Sequence, residues 1–203
     1  MKMKHLRSSI LTTIFWTVVV GGAYPLLMGG VGALFFPSQA QGSLVVRGGA
    51  TVGSSLIGQD FESDRYFHSR PSAVGYNSSN SGASNDGWTN AALKQAYDRR
   101  LSDWQKAYAR GPAGDPSSPQ ATFDPPMDML FASGSGLDPH ISPEAAELQV
   151  TAVAAARHLS ADQARELLRL VRAHEEGPQL GFLGEPRVNV LGLNLDLDKQ
   201  FPG

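Results

Sequence analysis

Asp60, Asp64 and His68 recur four residues apart, a spacing that on a helix would align two carboxylates and an imidazole as ligands for a hard metal ion. Gly58, the aromatic Phe61, Tyr66 and Phe67, and the nearby Pro71 disfavour a helix there, so the stretch reads as a packed loop and no metal site is expected. Ser135 lies between two glycines, but the Gly-x-Ser-x-Gly pattern is not satisfied, and the residues that follow turn toward Pro139 instead of opening a helix. No glycine-rich piece carries the lysine that a phosphate-cradling Gly-x-x-x-x-Gly-Lys-Ser/Thr loop requires. The chain has no cysteine, which removes disulfides, thiolate zinc sites and a thiol nucleophile. Asn77-Ser78-Ser79 fits the glycosylation triplet, a pattern common by chance. The residue types therefore predict no catalytic group and no cofactor of the chain's own.

The elements explain where the rest of the information lies. Twenty-nine consecutive residues, Ser8 to Phe36, carry no charge. A bilayer core asks for about 20 apolar residues in helix, so residues 10–36 are expected to span a membrane once. Lys2, Lys4 and Arg7 precede that span, and the next basic residue is Arg47. The positive-inside bias then makes residues 1–9 a cytoplasmic stub and puts 37–203 on the extracytoplasmic side of the cell membrane. A cleaved signal peptide is the competing reading, because Ser38-Gln39-Ala40 resembles a cleavage site. A signal core of about 7 to 15 residues is much shorter, which favours a retained anchor. Gly29 and Ala33 have the small-xxx-small spacing that lets a partner helix approach closely, and Pro25 should kink the helix before them.

The remainder reads as one soluble α+β domain with about three helices and short strands. The chain carries a net charge of −2, and three of its positive charges lie ahead of the span, so an acidic outer part argues against nucleic acid as a partner. Short strands are expected at Ser43 to Val46 and at Leu56-Ile57, and Tyr76 to Gly87, almost wholly Asn, Ser, Gly and Asp, reads as a surface loop that buries nothing. Asn90 can cap a helix to Arg110 with Leu93, Tyr97, Leu101, Trp104 and Tyr108 at four- and three-residue steps. A Pro-rich insertion covers about residues 111–127. Ser142-Pro143 starts a second helix, to about His158, and Ser160-Ala161-Asp162-Gln163 is a capping box for a third, which ends near Gly177-Pro178. Leucines at 191, 193, 195 and 197 alternate with Gly192, Asn194, Asp196 and Asp198, the period of a half-buried strand, and the opposite parity of Val188 and Val190 predicts a bulge at Leu191-Gly192.

One segment has no packing rationale: Ser133-Gly134-Ser135-Gly136-Leu137-Asp138-Pro139-His140-Ile141-Ser142-Pro143. It resembles the signature of the KdpC family, a component of the bacterial potassium-transporting P-type ATPase. Further runs resemble the same family, in order along the chain: Tyr24-Pro25-Leu26-Leu27, Gln39 to Leu44, Gly53 to Gln59, Tyr66 to Ala73, Ser81 to Asn85, and Val188 to Asp198. The Pro-rich insertion is the main gap.

The resemblance implies an accessory subunit, not itself an enzyme, of a P-type ATPase complex that imports K+ at high affinity with ATP. Its expected partners are a channel-like potassium-binding subunit, a P-type catalytic subunit and membrane lipid. The chain lacks both an Asp-Lys-Thr-Gly phosphorylation sequence and a Thr-Val-Gly-Tyr-Gly filter loop, in keeping with an accessory part. The signature loop, Ser133, Gly134, Ser135, Gly136, Leu137, Asp138, Pro139 and His140, is the expected interface. The resemblance also makes Gln149 a nucleotide contact in a subunit that raises the ATP affinity of its catalytic partner, although Ala152 stands where a basic residue often follows. If residues 37–203 are outside, Gln149 cannot reach cytoplasmic ATP, and such an effect would be a coupling between distant sites. Assembly and stabilisation of the complex is the mechanism the topology favours, with an independent anchored binding protein or enzyme as the reading of a different class.

Overall fold

A computed structural model describes residues 2–108 and 125–202. It resolves into two compact units, Met1–Val52 and Gly53–Gly203.

The first unit is built on the apolar run. Helix α1 (Lys2–Val18) continues through a π-helical turn (Val19–Ala23) into α2 (Tyr24–Phe35). The stretch His5–Phe35, 31 residues long, is apolar enough to cross a membrane. At about 1.5 Å per residue it exceeds a hydrocarbon core of about 30 Å with room for tilt. Ile10, Ile14, Phe15, Leu26 and Leu34 point outward, a surface suited to lipid and costly in water. Just before Pro25, where a kink is expected, the helix makes the π turn. Pro25 has no N–H for the carbonyl of Gly21 and its ring crowds that carbonyl, and the turn absorbs the misfit by letting the Tyr24 N–H reach Val19 O. After Phe36 breaks the helix, one turn, α3 (Pro37–Ala40), holds the Ser38-Gln39-Ala40 triplet. Strands β1 (Leu44–Arg47) and β2 (Ala50–Ser54) follow. Gly48 and Gly49 join them at φ 59° and 83°, the left-handed pair a two-residue hairpin turn needs. The strand expected at Leu56-Ile57 is instead a turn, in which Ser54 Oγ accepts from Leu56 N–H at 3.1 Å and Ser54 O from Ile57 N–H at 3.3 Å.

In the second unit the three expected helices are present as α4 (Ala91–Tyr108), α6 (Pro143–Ala156) and α7 (Ala161–Ala173), with a single-turn α5 (Met127–Leu130) before α6. Asn90 Oδ1 caps α4 through the Ala92 N–H at 2.9 Å, Ser142 Oγ caps α6 through Ala145 N–H at 3.1 Å, and Ser160 with Gln163 forms the anticipated capping box. Helix α7 stops before Gly177-Pro178, because Glu175–Glu176 (β4) pairs with β5 (Arg187–Asn189). A second antiparallel pairing, His140 with Asn189 and Ile141 with Val188, adds β3 (His140–Ile141) on the other side of β5. The expected end of α4 at Arg110 and most of the Pro-rich insertion lie outside the described residues.

The C-terminal strand is overturned. Val190–Gln200 is helix α8, capped by Asn189 Oδ1 on the Gly192 N–H at 3.0 Å, and there is no bulge at Leu191-Gly192 because strand β5 ends at Asn189 and both residues lie in the first turn of α8. Val190, Leu193, Asn194, Leu197 and Phe201 are buried at three- and four-residue steps, a helical stripe hidden inside the alternating leucines, with Leu191 buried beside it, while Leu195 is only half-buried. The core joins Phe67, Ile141, Val153, Leu167, Val171 and Val188 to this stripe.

Candidate functional site

Residues 67–72 cross the core outside any helix or strand, between α6 and α8, and side chains replace the neighbouring strands. Asn194 accepts from the Phe67 N–H and donates to the Phe67 carbonyl, both at 2.9 Å. Gln149 does the same for His68, accepting from its N–H at 2.7 Å and donating to its carbonyl at 3.3 Å. Both amides are buried, Gln149 completely, and each satisfies a main-chain donor and acceptor that would otherwise be stranded. His68 Nδ1 bonds the Phe61 carbonyl at 2.6 Å. Just before this segment, Arg157, its side chain only 2% exposed, donates to Arg65 O, Phe201 O and Asp198 at 2.7, 2.9 and 2.8 Å and lies over the Tyr66 ring.

The threaded segment carries the signature loop on its far end. Ser133 N–H donates to Pro71 O at 3.1 Å, Ser72 Oγ to Gly136 O at 2.6 Å, and Gly58 N–H to Leu137 O at 2.8 Å. From the Asn/Ser/Gly loop, Gly82 N–H and Ser81 Oγ both reach Ser135 O, at 2.9 and 3.0 Å. That loop lacks regular structure, as expected, but it does pack. Tyr76, mostly buried, donates its hydroxyl to Arg70 O at 2.6 Å, and burial followed by the nearby Asp60 charge pushes its pKa up to about 12, which keeps it a donor. Gly136 has φ 67°, and a Cβ there would sit 2.6 Å from Val74 Cγ2 and 2.7 Å from Gly82 O. A Cβ on Gly58 would meet Asp138 O at 2.5 Å. Gly134 and Ser135 remain exposed at the tip, on a loop whose base is fixed from three directions.

Beyond the tip, Asp138 accepts from the His140 N–H at 3.0 Å and pairs with Arg70 at 2.9 Å. Burial alone would raise its pKa. Hydrogen bonds from the His140 side chain and backbone, with the Arg70 guanidinium, outweigh that and hold it below the usual carboxylate range. Asp128 of α5 receives the Ser142 N–H at 2.7 Å at the start of α6, and Pro139 O receives the Val190 N–H at 3.0 Å, which ties the loop to the start of α8. An open groove of about 1000 Å³ lies alongside, lined by Arg70, Met127, His140, Glu147, Leu148 and Arg187 among others.

The structure thus brings Gln149 and the signature loop to opposite ends of one threaded segment. Gln149 faces the His68 backbone, with both ends of its amide engaged. Gly29 and Ala33 lie one turn apart on an exposed helical face. Asp60 and Asp64 sit outside any helix, so the four-residue spacing aligns nothing. Asn194, Ser72 and Arg157 escaped the sequence reading. Asn194 had a signal, a polar residue in the apolar stripe of a helix, but the strand-like alternation concealed it.

The family model described as K+-transporting ATPase, c chain, matches residues 6–199. A Rhodopseudomonas palustris protein named potassium-transporting ATPase KdpC subunit is 46% identical over 210 residues, 97% of each chain. Its namesake from Geobacter sulfurreducens is 46% identical over 204 residues, 98% of this chain and 100% of its own length. That from Methylococcus capsulatus is 46% identical over 199 residues, 97% of this chain and 98% of its own.

Proposed function

The chain belongs to the KdpC family of the K+-transporting ATPase, and from that premise we propose that it is a non-catalytic subunit whose folded body assembles and stabilises the complex from the extracytoplasmic side. The observation that carries this reading is the construction of the signature loop. Its backbone is held at Ser133, Ser135, Gly136 and Leu137 by five hydrogen bonds from residues 58–82 or to them, while Gly134 and Ser135 stay exposed. A preorganised loop of small residues presents main chain to a partner with little ordering cost. The basic stub ahead of His5–Phe35 sets the orientation, with the N-terminus cytoplasmic. The channel-like potassium-binding subunit is the partner of the outer body, and Gly29 and Ala33 form the seat for one of its membrane helices. ATP and K+ act in the complex, and the chain holds no cofactor itself.

Direct ATP contact through Gln149 is the competing mechanism. It asks a fully buried amide to abandon two bonds to His68, so Gln149 is better assigned to positioning the 67–72 segment, and an influence on nucleotide affinity then travels through the complex.

The test is purification in mild detergent together with single-cysteine labelling in whole cells. Stoichiometric recovery with two larger subunits, and reaction of Glu166→Cys, exposed on α7 away from the signature loop, with a membrane-impermeant maleimide, are the expected results. A chain recovered alone removes the assembly reading and leaves an independent anchored protein. Reaction with permeant reagents only reverses the orientation and restores direct nucleotide contact.

A further inference from the structure

Residues 177–186 connect β4 to β5 through Gly-Pro-Gln-Leu-Gly-Phe-Leu-Gly-Glu-Pro. The connection closes on itself. Gln179 N–H donates to Leu183 O and Leu183 N–H to Gln179 O, each at 2.9 Å, and Gly181 N–H donates to Pro178 O at 3.0 Å. A turn of this kind ordinarily shows polar residues to water. This one shows Leu180, Phe182 and Leu183, exposed by 83%, 74% and 49%. Leu180 also has φ 54°, in the left-handed region that a branched, non-glycine residue rarely enters. No burial of its side chain offsets that local cost, and unrelieved strain of this sort gathers at functional positions. The result is a rigid apolar knob, already shaped for a pocket.

The charges around it select the occupant. Glu175, Glu176 and Glu185 flank the knob and are exposed, and residues 175–186 include no lysine or arginine. Arg187, next after that stretch in the sequence, is engaged by Glu176 at 3.0 Å, and Arg172, on the Glu175 side, by Glu147 at 2.7 Å. Segments that enter bilayers carry basic flanks that answer anionic headgroups, and an acidic collar is repelled by the same surface. It complements a protein pocket with a basic rim. We infer that residues 178–184 form a docking knob that seats Leu180 and Phe182 in an apolar, basic-rimmed pocket on an integral-membrane subunit of the same ATPase complex. This rests on the assembly reading and adds to it a contact separate from the signature loop.

Because the chain has no cysteine, Gln179→Cys provides a unique handle for a benzophenone crosslinker beside the intact knob. The full chain so labelled is purified as the complex and illuminated, and adducts are read by mass spectrometry. An adduct to another subunit is expected. In parallel, L180S/F182S should wash off the immobilised complex about tenfold faster than the unaltered chain, the size of effect a central apolar anchor gives. Its melting temperature should stay the same, and L180M/F182L should be retained normally. Adducts to lipid or detergent alone, no adduct, or wash-off equal to the unaltered chain overturns the knob. If the unaltered chain purifies without partners, the assembly reading falls and the knob falls with it. If it co-purifies and the crosslinker finds no subunit, only the knob is lost.

Discussion

Two amide side chains, Gln149 and Asn194, hold adjacent residues of one extended segment by their main-chain N–H and C=O groups. Removing either leaves a buried donor and acceptor unsatisfied, at about 1–3 kcal/mol per group. Gln149→Ala and Asn194→Ala should therefore each lower the unfolding free energy of the purified chain by about 2–5 kcal/mol in urea titrations. A Gln149→Ala chain of unchanged stability would mean the amide is free for a ligand. Asp138 makes a pH-dependent contribution. Its pKa is depressed in the fold, so its bonds to Arg70 and His140 stabilise fully above the ordinary value of 3.8 and are lost as pH falls through the folded value. Asp138→Asn should cost about 1 kcal/mol at pH 7, a figure kept low because the pair is partly exposed, and the gap to the unaltered chain should close below about pH 4. Asp138 was legible as a turn residue. Its pairing with Arg70, 68 positions away, was not, since only the fold brings them together.

At the scale of elements, start signals read well and period read badly. Asn90, Ser142 and the Ser160 capping box all begin helices where expected, because a cap is a local contest between a side chain and the first free N–H groups. Ser160→Ala should lower stability by about 1 kcal/mol, measured by thermal melting. The segment Val190–Gln200 alternates like a strand yet folds as α8, because helical winding buries Leu193, Asn194 and Leu197 together and puts Asn194 opposite Phe67. Propensity and pattern yielded to that packing. The two geometries predict different alanine costs. In the helix Leu193→Ala should cost about 2–5 kcal/mol, and Leu195→Ala, half-buried, should cost less than half as much. Equal costs would favour the alternating strand. Gly136→Ala tests the signature loop as an element. With φ 67° and Gly82 O 2.7 Å from the new Cβ, the loop must shift, and recovery of the complex should drop severalfold while the isolated chain remains folded.

For the whole molecule, the sequence by itself determined the apolar span, the polarity of its flanks, the helix starts and the family. Each is a local property of residue type and order: uncharged length, a basic stub, capping side chains, and an uninterrupted succession of family-like runs. The proposed sidedness is tested at this scale as well. Protease added to spheroplasts should cut the chain after residue 37, and cleavage there only in inverted vesicles would put the body in the cytosol. The tertiary structure alone decided that Gln149 faces the His68 backbone, that the Asn/Ser/Gly loop braces the signature loop through Ser135, and that the C-terminal leucines wind into a helix. Each of these depends on groups distant in sequence competing for the same buried hydrogen bonds and the same core volume, and no period or motif within one segment records the outcome of that competition.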